Sequence, residues 1–176
     1  MLTDKIAKLL NEQLINEFDN SHTYQQMAAW SDIKGFRGAS AFFLQQAEEE
    51  RQHMQGIYDY LLLMDKMPVL KKVEVIKTDY NCHKDLFTEG YGLEKQATKK
   101  INNIAKEALA NDDFSTFEFI QQYVVEQREE EELFRKILDQ FEILKDDANK
   151  DYFVDQSLAS IRDQVDKEAK SIVEAL

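Results

Sequence analysis

Residues that interrupt a helix are nearly missing from this chain, with one proline and five glycines among 176 residues. A sandwich of sheets needs a turn signal about every ten residues, so a turn-rich all-β fold is excluded. What fills the chain is a helical period, with apolar residues returning at steps of three and four. Ile6, Leu10, Leu14, Ser21, Tyr24 and Ala28 share one face of a first helix over about residues 4–33, which Thr3 or Asp4 can cap. Gly35 and Gly38 bracket a turn. Ala39, Phe43, Ala47, Ile57, Leu61 and Met64 mark a second helix over about residues 39–64, which Pro68 prevents from continuing. Phe87, Ala97, Ile101, Ala105 and Ala108 mark a third over about 84–111. The Asn111-Asp112-Asp113 turn, with Asp113 or Ser115 as cap, leads to a fourth over about 114–144, striped by Thr116, Ile120, Tyr123, Phe134, Ile137 and Phe141. A shorter fifth, over about 151–174, aligns Val154, Leu158, Ile161, Val165, Ala169, Ile172 and Leu176.

The links between these helices set the topology. Residues 66–83 contain Val69, Val73, Val75 and Ile76 but no helical stripe. A connection of that length is unusual in a compact domain and is long enough to run beside a helix pair. Short link, long crossover, short link describes an all-α four-helix bundle with one crossover, in which the second and third helices lie parallel. A single domain over residues 1–176 is expected, with the fifth helix appended at its C-terminal side.

Acidic residues outnumber basic ones by 34 to 22, a formal charge of -12. Such a chain has no footprint for nucleic acid or for an anionic lipid surface. Cys82 is the only cysteine, so no intrachain disulfide and no thiolate cluster can form. No apolar run reaches the length of a membrane span, and the first residues carry no leader pattern, so a cytoplasmic protein is expected.

Each core-facing stripe carries one interruption near its middle: Glu17, then Glu50 with His53, then Glu94, then Glu130 with Gln127. A bundle core does not hold bare carboxylates without compensation, and the economical compensation is a cation. Glu50 and His53 stand three apart on one helical face, so they reach the same ion or one ion each. Glu50 can bridge two ions, with Glu17 and His53 completing one site and Glu94 and Glu130 the other. Oxygen-rich ligation with one imidazole suits iron or manganese. Gln127 offers an amide oxygen, a poorer ligand than imidazole, so the ion on its side is held more weakly. Glu49, Glu126, Glu129 and Glu130 sit one step around the helices and can form a third metal position, although the glutamate runs 48–50 and 129–132 read equally well as solvated helix faces. Tyr24 shares a stripe with Glu17 and can give the centre a hydrogen bond or an electron. His22 and His83 read as structural histidines rather than ligands, Trp30 as a packing or interface residue, and the pair Cys82 and His83 as loop chemistry.

These residues carry a specific resemblance. Asn11-Glu12-Gln13 with Glu17, Tyr24-Gln25-Gln26-Met27, Glu48-Glu49-Glu50-x-x-His53-Met54, and Tyr123-Val124-x-Glu126-Gln127-x-Glu129-Glu130-Glu131 resemble bacterial non-haem ferritins along essentially the whole chain. The resemblance implies a homo-oligomeric shell of 24 subunits around an iron mineral. It implies a catalytic di-iron centre at Glu17, Glu50, His53, Glu94 and Glu130, with Gln127 and Tyr24 beside it. It also implies a third iron position at Glu49, Glu126, Glu129 and Glu130. Gln46 and Gln122 stand where members of that family often have histidine and tryptophan. Arg51 follows the bridging glutamate where the haem-binding sister family has methionine, so no haem is expected. The implied reaction is oxidation of Fe(II) by dioxygen or peroxide. A soluble di-iron or di-manganese oxidase or catalase would use nearly the same ligands without storing metal. A purely structural helical oligomer is the third reading.

Overall fold

The computed structural model describes residues 2–73 and 75–174. Five helices follow in order: α1 (Asp4–Lys34), α2 (Arg37–Leu63), α3 (His83–Ala110), α4 (Phe114–Ile143) and α5 (Lys150–Glu174). α5, with 25 residues, is the shortest, against 27 to 31 in the others. α1 packs on α2, α3 on α4 and α1 on α3, while α5 lies against both α2 and α4. The architecture is the four-helix bundle with a long α2–α3 crossover and an added C-terminal helix. None of the described helices is long and apolar enough to cross a membrane.

Local chemistry explains the boundaries. Thr3 accepts from the backbone N–H of Ile6 at 3.3 Å and caps α1. Asp113 accepts from the N–H of Thr116 at 3.1 Å and caps α4. Gly35 ends α1 with φ at 86°, a left-handed position where a side chain is strained. α2 begins at Arg37, two residues earlier than the sequence suggests, and the reason lies on α5. Asp155 accepts from the N–H groups of Gly38 at 3.0 Å and Ala39 at 2.7 Å, so a carboxylate from another helix caps α2. A Cβ on Gly38 would stand 2.0 Å from the carbonyl oxygen of Asp155, so only glycine admits α5 at this distance.

The crossover is held by single anchors rather than by regular structure. The side-chain amide of Asn11 accepts from the N–H of Val69 at 2.7 Å and donates to its carbonyl at 3.1 Å. Lys66, Lys71 and Lys77 pair with Asp4, Asp19 and Glu89 at 2.6 to 2.7 Å. Tyr80 is buried edge-on against Trp30.

All the α1 stripe residues named from sequence are buried, as are those of α5 from Val154 to Ala169. The side chain of Ile172 and the whole of Leu176 lie outside the described residues. The apolar core is not continuous. One cluster, rich in aromatic rings, gathers Tyr24, Phe42, Phe43, Phe87, Phe134 and Phe141 with one face of α5. The other, mostly aliphatic, gathers Leu10, Leu14, Ile57, Leu61, Ile101 and Ile120. Between them, across the middle of α1 to α4, runs a belt of buried polar side chains.

Candidate metal centre

The belt contains Gln13, Glu17 and Asn20 from α1, Gln46 and Glu50 from α2, Glu94 from α3 and Gln127 from α4. Helical period accounts for their meeting, because each occupies a core position of its own stripe at the same depth. Glu17, Glu50 and Glu94 are at most 4% exposed. Among the described residues, Glu17, Glu50 and His53 each turn one ligand atom into a common space, with those atoms within 4.8 Å of one another.

The two oxygens of Glu50 are unequally supplied with hydrogen-bond donors. Asn20 donates weakly to Oε1 at 3.4 Å, whereas Oε2 is buried without any hydrogen-bond donor. The nearest nitrogen, Nδ1 of His53, is 3.8 Å away. A buried carboxylate oxygen without a partner costs free energy, and a cation shared with Glu17 and His53 removes that cost. His53 Nε2 meets Glu126 at 3.1 Å on its other side. Gln13 donates to Glu17 at 2.5 Å.

On the α3–α4 side the protein supplies its own donors. Tyr24 donates its hydroxyl proton to Oε1 of Glu94, and Gln127 donates to Oε2 at 2.8 Å. Gln46 donates to Oε2 of Glu130 at 2.9 Å. The ligand atoms of Glu94 and Glu130 therefore do not close with those of Glu50 as they do for Glu17 and His53. An ion there must displace amide and phenol donors first.

Electrostatics agree with the geometry. Burial, and then the charge of Glu50, hold the Glu17 carboxyl well above the usual carboxylate range. Burial raises Glu50 as well, while a hydrogen bond shared with the protonated Glu17 carboxyl works to lower it. Burial with the charge of Glu130 pushes Glu94 up to about 8, and burial pushes Glu130 up to about 7. For His53, burial works against the imidazolium, but its contacts with Glu126 and Glu50 and the charge of Glu17 outweigh it and push the ring up to about 11. Burial beside Glu94 and Glu50 keeps the Tyr24 phenol protonated. Without an ion, this belt holds protons where a metal would hold charge.

The remaining sequence candidates fall in two places. Glu49, Glu126, Glu129 and Glu130 line a cavity of about 240 Å³ beside His53, together with Arg162 and Asp166 of α5. Cys82 and His83 stand at the start of α3, with His83 stacked on Phe36 at 4.1 Å, in the aromatic cluster and away from the belt. Gln122 is exposed on α4. Sequence reasoning missed Gln13 and Asn20, which orient the carboxylates of Glu17 and Glu50. The only signal they offered was an amide one helical turn from a core glutamate. It also missed Arg162, which carries no mark in the stripe of α5.

Comparison with known proteins gives one answer. The ferritin family, described as a ferritin-like domain, matches residues 7–144. Bacterial non-heme ferritin of Escherichia coli O6:H1 is 40% identical over 164 residues, covering 93% of this chain and 99% of its own. Its counterpart in Campylobacter jejuni is 35% identical, covering 92% and 96%. An open pore ferritin from the archaeon Archaeoglobus fulgidus superposes with a TM-score of 0.85 at 28% identity, covering 90% of this chain and 98% of its own. The family match and the buried Glu–Glu–His cluster together support an iron-binding, ferroxidase-type centre. Fold, ligand belt and sequence likeness converge, and the chain belongs to the ferritins, among their bacterial non-haem members.

Proposed function

We propose that this chain oxidises Fe(II) at a two-ion centre within each subunit and stores the product as ferric mineral inside a hollow homo-oligomeric shell. The observation that carries the reading is the unpartnered, buried Oε2 of Glu50, set among the ligand atoms of Glu17 and His53. Fe(II) is the substrate. Two Fe(II) give up two electrons to dioxygen, which with two protons becomes hydrogen peroxide, or to peroxide, which with two protons becomes two waters. Glu17, Glu50 and His53 bind the first ion. Glu50, Glu94 and Glu130 bind the second once Tyr24 and Gln127 release Glu94. Carboxylate oxygens favour the ferric state because they neutralise its extra charge. Gln127 contributes at most an amide oxygen, so the ion on the α3–α4 side leaves more readily, as storage requires. Tyr24 keeps the free Glu94 carboxyl ordered and returns to it when the ion departs.

The test is aerobic loading of the metal-free protein with several hundred Fe(II) per assembly, followed by size-exclusion chromatography with light scattering and iron detection. A single species near twenty-four times the 20.6 kDa chain mass, carrying ferric iron far above two per subunit, is expected. A small oligomer retaining two ions or fewer would overturn storage and leave a soluble di-metal oxidase.

A further inference from the structure

α2, α4 and α5 line the cavity of about 240 Å³ beside the centre, with Glu49, Glu126, Glu129 and Glu130 on its walls. The family resemblance puts a third iron among these carboxylates. The residues of this chain do not fit that ion as they stand, because the cavity already holds a cation. Arg162 of α5 is 9% exposed and reaches in between α2 and α4. Its NH1 lies 3.1 and 3.2 Å from the two oxygens of Glu49, and its NH2 donates to Oε1 of Gln46. The guanidinium carbon stands 5.0 Å from the centre of the Phe42 ring.

The placement belongs to the helix and not to a wandering side chain. Asp155, seven residues before Arg162, is fixed to the first turn of α2, and Lys136 of α4 pairs with Glu168 at 2.6 Å, six residues after it. A guanidinium has no free acceptor and cannot lose its proton in a protein. Its contact with both oxygens of Glu49 uses the geometry a metal would need, and its charge repels a divalent ion in the same space. The same arginine holds Gln46, whose amide then donates to Glu130 at 2.9 Å.

We propose that Arg162 is the resident cation of this cavity, and that it keeps a third metal ion off Glu49 while the two-ion centre fills beside it. Arg162 is a positioning residue and touches neither ion. The inference rests on the two-ion reading only for the occupants of the neighbouring centre.

Crystals of the wild-type protein and of Arg162→Gln, soaked in Zn(II) and measured at the zinc edge, decide the matter without catalysis. In the wild type, zinc is expected on Glu17, Glu50 and His53, with none on Glu49. In Arg162→Gln, an added zinc on Glu49 with Glu126 or Glu129 is expected, and equilibrium dialysis should count one more ion per subunit. Arg162→Lys keeps the charge and is expected to resemble the wild type. Zinc on Glu49 in the wild type, with Arg162 swung aside, would overturn the proposal. So would an Arg162→Gln crystal with α5 in place and no added ion, or zinc on Glu49 in Arg162→Lys. If Arg162→Gln does not fold, the wild-type and Arg162→Lys maps still decide it. Zinc missing from Glu17, Glu50 and His53 would count against the two-ion centre, a separate failure.

Discussion

Glu50 is buried beside other carboxyls, and the energetics of the metal-free protein follow from that. Folded Glu94 and Glu130 keep their protons up to about 8 and about 7, while the unfolded chain gives them up near 4.5, the ordinary value. The native state therefore binds more protons across that interval, and stability falls as pH rises through it. His53 acts in the same direction. Its folded value of about 11 exceeds the ordinary 6.5, so its contribution is complete below 6.5 and is lost as pH rises through 11. Metal-free protein is thus expected to melt at progressively lower temperature from pH 5 to pH 8. Replacing Glu50 and His53 together by leucine removes the carboxyl and the imidazole that pairs with it. At pH 8 this variant should melt at least as high as the metal-free wild type, since replacing a buried ion pair by apolar groups is neutral or stabilises by about 1–4 kcal/mol. The same variant should lose the rise in melting temperature that Zn(II) gives the wild type. A variant that melts lower and still gains from zinc would show the pair to be structural. The carboxylates were legible in sequence because a charge in an apolar stripe is conspicuous. Tyr24 and Gln127 shared those stripes and were legible too, but Gln13 and Asn20 were not, because they look like any amide on a helix.

At the scale of elements, the order of five helices and the long crossover were legible in sequence, because breakers are rare here. The docking of α5 on α2 and α4 was not. Its main anchor, Asp155 capping the start of α2, joins residues 117 apart, and such a contact leaves no periodic trace. In the sequence Gly38 only brackets a turn. In the structure it lies inside α2, and its missing side chain makes room for the α5 backbone. Asp155→Ala removes a cap, a change that costs about 0.5–2 kcal/mol. Gly38→Ala should cost more, because its Cβ meets backbone rather than a movable side chain. Both are expected to loosen α5 while α1 to α4 stay folded, so limited proteolysis should cut in the link at residues 144–149 and release α5. Equal resistance of both variants to the protease would mean that the apolar stripe of α5 holds it without the cap. Loss of the whole bundle would mean that α5 is part of the core.

For the whole molecule, the polar belt matters because it divides the core. The aromatic cluster and the aliphatic cluster each bury their own side chains on either side of it, and neither needs a metal to be packed. The belt is different, since its carboxyls are desolvated and one oxygen of Glu50 has no donor, which is where a bound ion would add most. An ion that binds only the folded state adds stability, about 2.7 kcal/mol when present at a hundred times its dissociation constant. That gain should appear where the ion acts, as fewer local openings. Amide hydrogen exchange with and without Zn(II) is therefore expected to slow in the middle turns of four separate helices: around Glu17, Glu50, Glu94 and Gln127. The ends of the same helices, packed in either cluster, should change little. Protection confined to α1 and α2 would mean that zinc stays with Glu17, Glu50 and His53, and that Tyr24 and Gln127 keep Glu94 for themselves. Protection in all four helices would mean that those two donors give way, which is the movement a second ion requires.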